Sequence, residues 1–308
     1  MAKLKELSKK QDVLSPGHRL CAGCGASIAV RQILSASDEP VVVASATGCL
    51  EVATTIYPYT SWRSSFIHNA FENSAATISG VEAMYQSLRK QGKIDKEIKF
   101  IAFGGDGGTY DIGLQSLSGA LERGHDFVYV CYDNEAYMNT GIQRSSATPR
   151  GVWTTTSPCG EVIPGKMQYR KDLTAVVAAH KIPYAAQASI WRWNDLIKKA
   201  RKAFYTKGPA FLNVLSPCPR GWRFPSEDTI EMAKLSVQTN FWPLYEVENG
   251  KWNLNYKPKE RKPITDWMKP QGRYKNALRP ENKKLVAEIQ KDVDDNWERL
   301  LVLCDEKK

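Results

Sequence analysis

The stretch IKFIAFGGDGGTYDIGLQSL, residues 98–117, decides the fold. It opens with a short apolar run, IKFIAFG, that is closed by a glycine-rich turn. A run of this length and character suits a strand of a parallel sheet covered on both faces, and the residues beyond the turn, Ile112 to Arg123, suit a helix. The same alternation recurs on either side. PVVVASA (40–46), DFVYVCY (126–132) and PAFLNVL (209–215) read as further strands, while Ala26–Ser35, Ala70–Lys90 and Trp193–Tyr205 read as helices. Strand and helix in turn predict an α/β fold, a doubly wound and mainly parallel sheet. Ligands in such sheets lie beyond the carboxyl ends of the strands.

At that edge, Gly104-Gly105-Asp106-Gly107-Gly108 ends one strand and Asp133-Asn134-Glu135 ends the next. Glycines let backbone N–H groups approach a phosphate, and an Asp beside them can hold Mg2+, which takes oxygen ligands and often bridges substrate phosphates. Asn134 offers a second oxygen from the adjacent strand end. The bland alternative is a tight turn with a loop-capping Asn. A dinucleotide-binding turn is a poor match, because G-x-G-x-x-G is absent. The spacing of G-D-G and Asn resembles a thiamine diphosphate motif.

The chain of 308 residues is 42% hydrophobic and 25% charged, proportions of a globular protein with a sizeable core. No apolar run approaches the ~20 residues of a bilayer span, and the charged N-terminus lacks the apolar centre of a signal peptide. A cytoplasmic protein without membrane contact is expected. The net charge of +10 comes mainly from two polar stretches, KLKELSKK and YKPKERKP, without the patterning of a nucleic-acid-binding helix. After about residue 245 the sequence turns polar and aperiodic; an extended C-terminal tail is expected over 246–308, closed by a helix from Glu281 to Leu303. Trp252, Tyr256, Trp267 and Tyr274 suggest that this tail lies against the domain or another subunit.

Seven cysteines in a chain of this kind point to metal or redox chemistry before disulfides. Cys21 and Cys24 precede a helix in LCAGCGAS, Cys49 ends a strand in ATGCLE, and Cys218 follows one in SPCPRGW. Four such thiolates can hold a [4Fe–4S] cluster or a tetrahedral zinc, and the dispersed spacing favours the cluster. Cys131 reads as a core residue, and Cys159 is a rival fourth ligand.

The set CAGCG, ATGCLE, GGDGGTYDIGLQ, DNEAYMNTGIQRSSATPRG and SPCPRGW, spread over residues 16–245, resembles the β subunit of 2-oxoacid:ferredoxin oxidoreductases, the pyruvate enzymes especially. The resemblance implies a thiamine diphosphate-binding α/β domain over residues 1–245 with a proximal [4Fe–4S] cluster on Cys21, Cys24, Cys49 and Cys218. It implies Mg2+ on Asp106, Asn134 and the carbonyl of Ala136, cofactor contacts from Thr47, Gly48, Gly105 and Gly107, and Asn139 beside the reacting ring. One departure is Ala26, where some members carry an acidic residue. The reaction implied is CoA-dependent oxidative decarboxylation of a 2-oxoacid, pyruvate first and oxalate, 2-oxoisovalerate or 2-oxoglutarate as alternatives. An α subunit would supply the other half of the thiamine site, and further iron–sulfur subunits would lead to ferredoxin.

Other residues admit plainer readings. His68, Asn69, Glu72 and Asn73 read as a helix-start cap or cofactor-facing group; His18 as a surface residue or cluster neighbour. Arg144, Ser145 and Ser146 read as contacts to coenzyme A or a partner. Rival functions are a non-oxidative thiamine enzyme, which needs no electron exit, and a zinc-stabilised basic binding protein, which leaves the G-D-G and Asn pair without a role.

Overall fold

The computed structural model describes residues 4–305; the ends of the two charged termini, 1–3 and 306–308, lie outside the described residues. Eight strands form one sheet: β1 (Val41–Ala46), β2 (Ser65–Asn69), β3 (Lys99–Gly105), β4 (Val128–Asp133), β5 (Tyr184–Ser189), β6 (Ala210–Leu215), β7 (Tyr245–Glu248) and β8 (Lys251–Leu254), in the spatial order β2-β1-β3-β4-β6-β5-β7-β8. The first six run parallel, and β7 and β8 add an antiparallel hairpin at one edge.

Alternation within the strands feeds two cores. Val43, Ile101, Val128 and Val130 face the layer of helices Gly25–Leu34 and Trp193–Tyr205, whereas Ala44, Ala102, Tyr129 and Cys131 face helices Ser74–Lys90 and Leu114–Glu122. Both faces are covered, so strands such as VYVCYD are buried at all six positions. The final helix, Lys283–Leu303, buries Leu285, Ile289, Val293, Trp297, Leu300 and Leu301, the stripe its sequence predicts.

Two expectations change in detail. Residues 66–69 belong to β2, and the following helix begins at Ser74, not at residue 70. His68 is therefore a strand residue; its Nδ1 lies 2.6 Å from Glu51 Oε1, and it caps no helix. The segment 246–308, expected as an extended tail, holds most of the β7–β8 hairpin and a core of its own. Trp267, Met268, Tyr274 and Ala277 are fully buried with Trp222 and Trp242 in a third apolar cluster. Trp252 stacks on Tyr245, and Tyr256 meets Trp191 edge-on. Among the described residues no helix is long and apolar enough to cross a membrane.

β1 connects to β2 on one side while β3 connects to β4 on the other. The crevice between the ends of β1 and β3 is thus the switch point at which this architecture binds ligands.

Candidate active site

A cleft at that switch point is lined by Thr47 and Gly48 after β1, Gly105 and Gly107 at the end of β3, and Asn134, Ala136 and Asn139 after β4. The register aligns Gly104 with Cys131 and Gly105 with Tyr132, which sets the two strand ends level. Beyond Asp106 the chain enters a π-helical turn, Gly107–Ile112, before the helix Leu114–Glu122. Glycine is required at 107 by close approach: a Cβ there would sit 2.3 Å from the Tyr137 ring, whose hydroxyl donates to Gly107 O at 2.9 Å. Tyr132 closes the floor, with a buried hydroxyl that has no partner.

Asp106 is 1% exposed. It accepts hydrogen bonds from Ser145 Oγ at 2.5 Å and from Asn134 N at 3.3 Å. Burial, and then the neighbouring Asp133, push its carboxyl well above the usual range, while Ser145 and Arg170 pull it back. One end of the Asn134 carboxamide lies 2.8 Å from Ala136 O and 2.9 Å from Asp106 Oδ1, and with its nitrogen there it donates to both. A cation would bring the amide oxygen to that end instead: oxygen ligands 2.0–2.1 Å from an octahedral ion lie about 2.9 Å apart. The sequence-predicted trio of Asp106, Asn134 and Ala136 therefore meets at one point, and its donor set is all oxygen, as Mg2+ prefers. Among the described residues no group of three His, Cys, Asp or Glu side chains is gathered as around one metal ion; this trio contains only one such side chain.

Beneath the loop lies a network that sequence reading missed. Asp133 accepts from Tyr110 at 2.6 Å and is paired with Arg170; Glu135 is paired with Arg170 at 3.0 Å and with Arg273 at 2.5 Å. Asp133-Asn134-Glu135 was legible as a strand-end triplet, but the arginines come from distant segments. Ser145 donates to Asp106 from within the core and so meets no other molecule, whereas Ser146, whose N donates to Asp111 at 3.0 Å, is half-buried and Arg144 is exposed.

The thiol-bearing segments converge beside the cleft. Gly25 N donates to Pro217 O at 3.1 Å, and a Cβ on Gly25 would lie 2.8 Å from the Pro217 nitrogen, so the CAGCG turn abuts the SPCPRGW turn backbone to backbone. Cys49, at the start of helix Cys49–Thr54, itself lines the cleft. Burial, and then the nearby Cys218, Cys24 and Cys21, push the Cys49 thiol up to about 12; burial, with Cys24 and Cys21, pushes Cys218 up to about 11 against the Gly221 N–H. Burial likewise raises Cys24. Cys218 Sγ accepts from Gly221 N at 3.3 Å, and Cys21 is exposed. Of the remaining cysteines, Cys131 is buried in β4 and Cys159 donates to Pro164 O at 3.1 Å. His18 Nδ1 is buried without a partner. A larger cavity of about 290 Å³ lies between the final helix and the β5–β7 edge; it is lined by Tyr110 and Arg170 of the network but by none of the cysteines, nor by Asp106, Asn134 or Ala136. The strand-end chemistry, not the cavity's size, marks the site.

A family model described as "Thiamine pyrophosphate enzyme, C-terminal TPP binding domain" matches residues 46–214, more than half of the chain. The pyruvate synthase subunit PorB of Thermotoga maritima is 54% identical over 97% of this chain and 94% of its own length. That of Methanocaldococcus jannaschii is 52% identical over 94% and 97%. The ketoisovalerate oxidoreductase subunit VorB of Pyrococcus abyssi is 44% identical over 94% and 92%. A solved 2-oxoglutarate:ferredoxin oxidoreductase from Magnetococcus marinus superposes with a TM-score of 0.52 at 19% identity, covering 70% of this chain and 76% of that one, a likeness of fold. By its strand-end site and by these relatives, the chain belongs to the thiamine-dependent enzymes as a β subunit of the 2-oxoacid:ferredoxin oxidoreductases, of the pyruvate type.

Proposed function

We propose that this chain binds thiamine diphosphate with Mg2+ and carries a [4Fe–4S] cluster, within a complex that oxidatively decarboxylates pyruvate with coenzyme A and delivers electrons to ferredoxin. The observation that carries the reading is that one end of the Asn134 carboxamide meets both Asp106 Oδ1, 2.9 Å away, and Ala136 O, 2.8 Å away, at the ends of adjacent strands. Asp106 supplies the charge, and the hydrogen bond from Ser145 favours its ionised form against the effect of burial. The glycine turn leaves its backbone open to a diphosphate, and Asn139, exposed on the rim, faces the reacting end. When bound, thiamine diphosphate supplies the electron sink for loss of CO2 from a 2-oxoacid.

Cys21, Cys24, Cys49 and Cys218 would hold the cluster. Cys218, Cys24 and Cys21 lie near enough to Cys49 to raise its pKa, and Cys24 and Cys21 do the same to Cys218. The N–H of Gly221 directed at Cys218 Sγ would stabilise a ligating thiolate. The cleft holds only about 20 Å³ within this chain, in keeping with a site whose other wall belongs to an α subunit. Residues 246–308 would share in contacts with partners, and further iron–sulfur subunits would carry electrons onward.

A relative named for ketoisovalerate keeps 2-oxoisovalerate as a second substrate reading. The test is anaerobic purification of the complete complex, with analysis of thiamine diphosphate, Mg2+, iron, sulfide and zinc, EPR after reduction, and rates with pyruvate, 2-oxoisovalerate and 2-oxoglutarate. A cluster signal lost on Cys218→Ala, with pyruvate the preferred substrate, supports the proposal. Zinc in place of iron removes the electron exit and refutes it; preference for another 2-oxoacid refutes the pyruvate assignment alone.

A further inference from the structure

Glu135 stands between the two metal-loop residues Asn134 and Ala136, and it is a non-glycine residue at φ +70. Backbone in that region is held by its surroundings rather than by local preference. The surroundings here are unusually complete. Glu135 is 0% exposed; its N–H donates to Asp133 Oδ1 at 3.1 Å, and its carbonyl accepts from Thr148 Oγ1 at 2.7 Å. One carboxylate oxygen accepts from Arg170 and the other from Arg273, which is itself 1% exposed.

Arg273 arrives from the C-terminal segment, 138 positions away in sequence. Its Nε donates to Gln271 Oε1 at 2.8 Å, and its guanidinium lies 4.0 Å from the centre of the Trp222 ring, with Trp267 and Tyr274 also around it. Trp222 in turn donates from Nε1 to Asn134 O at 2.7 Å. One guanidinium thus touches both anchors of the loop: the carboxylate of Glu135 and the indole that holds the Asn134 carbonyl. A charge alone would satisfy Glu135, and Arg170 already provides one. The planar fork, stacked and bidentate-capable, fixes orientation as well.

We propose that Arg273 is a positioning residue for the cation loop: by pinning Glu135 and backing Trp222 it turns Asn134 Oδ1 and Ala136 O toward a shared cation. The inference rests on the cation–diphosphate reading above. It assigns to the C-terminal segment a part in cofactor binding that does not require it to touch the cofactor.

The test measures the Mg2+ concentration for half-saturation of thiamine diphosphate binding in the complete apo complex, by calorimetry or tryptophan fluorescence, together with the unfolding temperature without ligand. Arg273→Lys retains charge but not the fork, and should raise half-saturation about tenfold or more, the usual effect of losing a partner behind a metal ligand. The neutral pair Glu135→Gln with Arg273→Met leaves no unpaired charge, serves if the lysine variant does not assemble, and should show the same weakening. Half-saturation within twofold of wild type in whichever variant assembles overturns the proposal, whatever the unfolding temperature does, because a merely structural arginine lowers stability alone. A wild-type complex that binds no thiamine diphosphate sinks the underlying reading, and the positioning role with it; wild-type binding with an unaffected variant sinks only the latter.

Discussion

Removing the hydroxyl of Ser145 isolates one term of the candidate site. Its Oγ lies 2.5 Å from Asp106 Oδ2 and also accepts from Ala147 N at 3.1 Å. A hydrogen bond to a buried charged group contributes about 1.5–3 kcal/mol. Ser145→Ala removes that contribution from the ionised carboxylate, the form a cation requires. At about 1.4 kcal/mol per tenfold, Mg2+ affinity should fall by one to two powers of ten. The pH dependence fixes the sign. Burial and Asp133 already raise the Asp106 pKa and Ser145 opposes them, so the variant's pKa rises further. Protonation then competes with the cation at higher pH than in wild type, and the deficit must grow as pH falls. Mg2+ titrations of thiamine diphosphate binding at pH 6, 7 and 8, in the complete complex, read this directly. A Ser145→Ala deficit below twofold, or one that shrinks as pH falls, would refute the assignment of Asp106 as the charged ligand.

Gly25→Ala places a Cβ 2.8 Å from the backbone of Pro217 and should separate the two cysteine turns; the iron assignable to this chain should fall by more than half with the far-UV CD spectrum unchanged. Retention of full iron would show that this approach does not set the cluster site. With Cys49 at about 12 and Cys218 at about 11 against an ordinary 9.0, the folded metal-free chain keeps thiol protons that the unfolded chain releases. Its stability is therefore fully present below pH 9 and is lost toward pH 12, by roughly a few kcal/mol, which urea midpoints across that range would report; a flat profile contradicts it. Trp222→Phe removes the donor to Asn134 O and leaves a buried carbonyl unpaired, a loss of about 1–3 kcal/mol in unfolding free energy. No change in denaturant midpoint would mean that the carbonyl finds another partner.

The parallel heart of the fold was readable because burial on both faces writes itself as unbroken apolar runs, VVVASA and VYVCYD among them. Strands without that mark escaped. SFIHN is a half-exposed edge strand, and YAAQAS is built of small residues whose burial hydrophobicity does not advertise. The β7–β8 hairpin did carry a signal: YEVENGKWNL holds an Asn249-Gly250 turn between alternating strands, a stronger local cue than the Lys- and Pro-rich texture around it. In the site, Asp106, Asn134 and the cysteines declare themselves by residue type and position at strand ends. The groups that hold them do not. Ser145 sits in a polar run where any hydroxyl looks solvated, and nothing near Arg273 hints at a carboxylate 138 positions earlier. Support of this kind is created by the fold, so its local sequence is ordinary.

The strand order also has a consequence in time. β6 lies between β4 and β5, and Pro217, just beyond it, receives the N–H of Gly25. During synthesis Cys21 and Cys24 leave the ribosome about 200 residues ahead of Cys218, an interval of roughly 10–40 s at ordinary elongation rates. For that period the early thiols lack Cys218 as a companion, and for the last roughly 4–16 s of it β4 has an open edge. Filling of the parallel sheet by β6 thus waits until about two thirds of the chain has been made. A nascent chain paused before residue 210 would present both an unpaired strand and reactive cysteines to the cell.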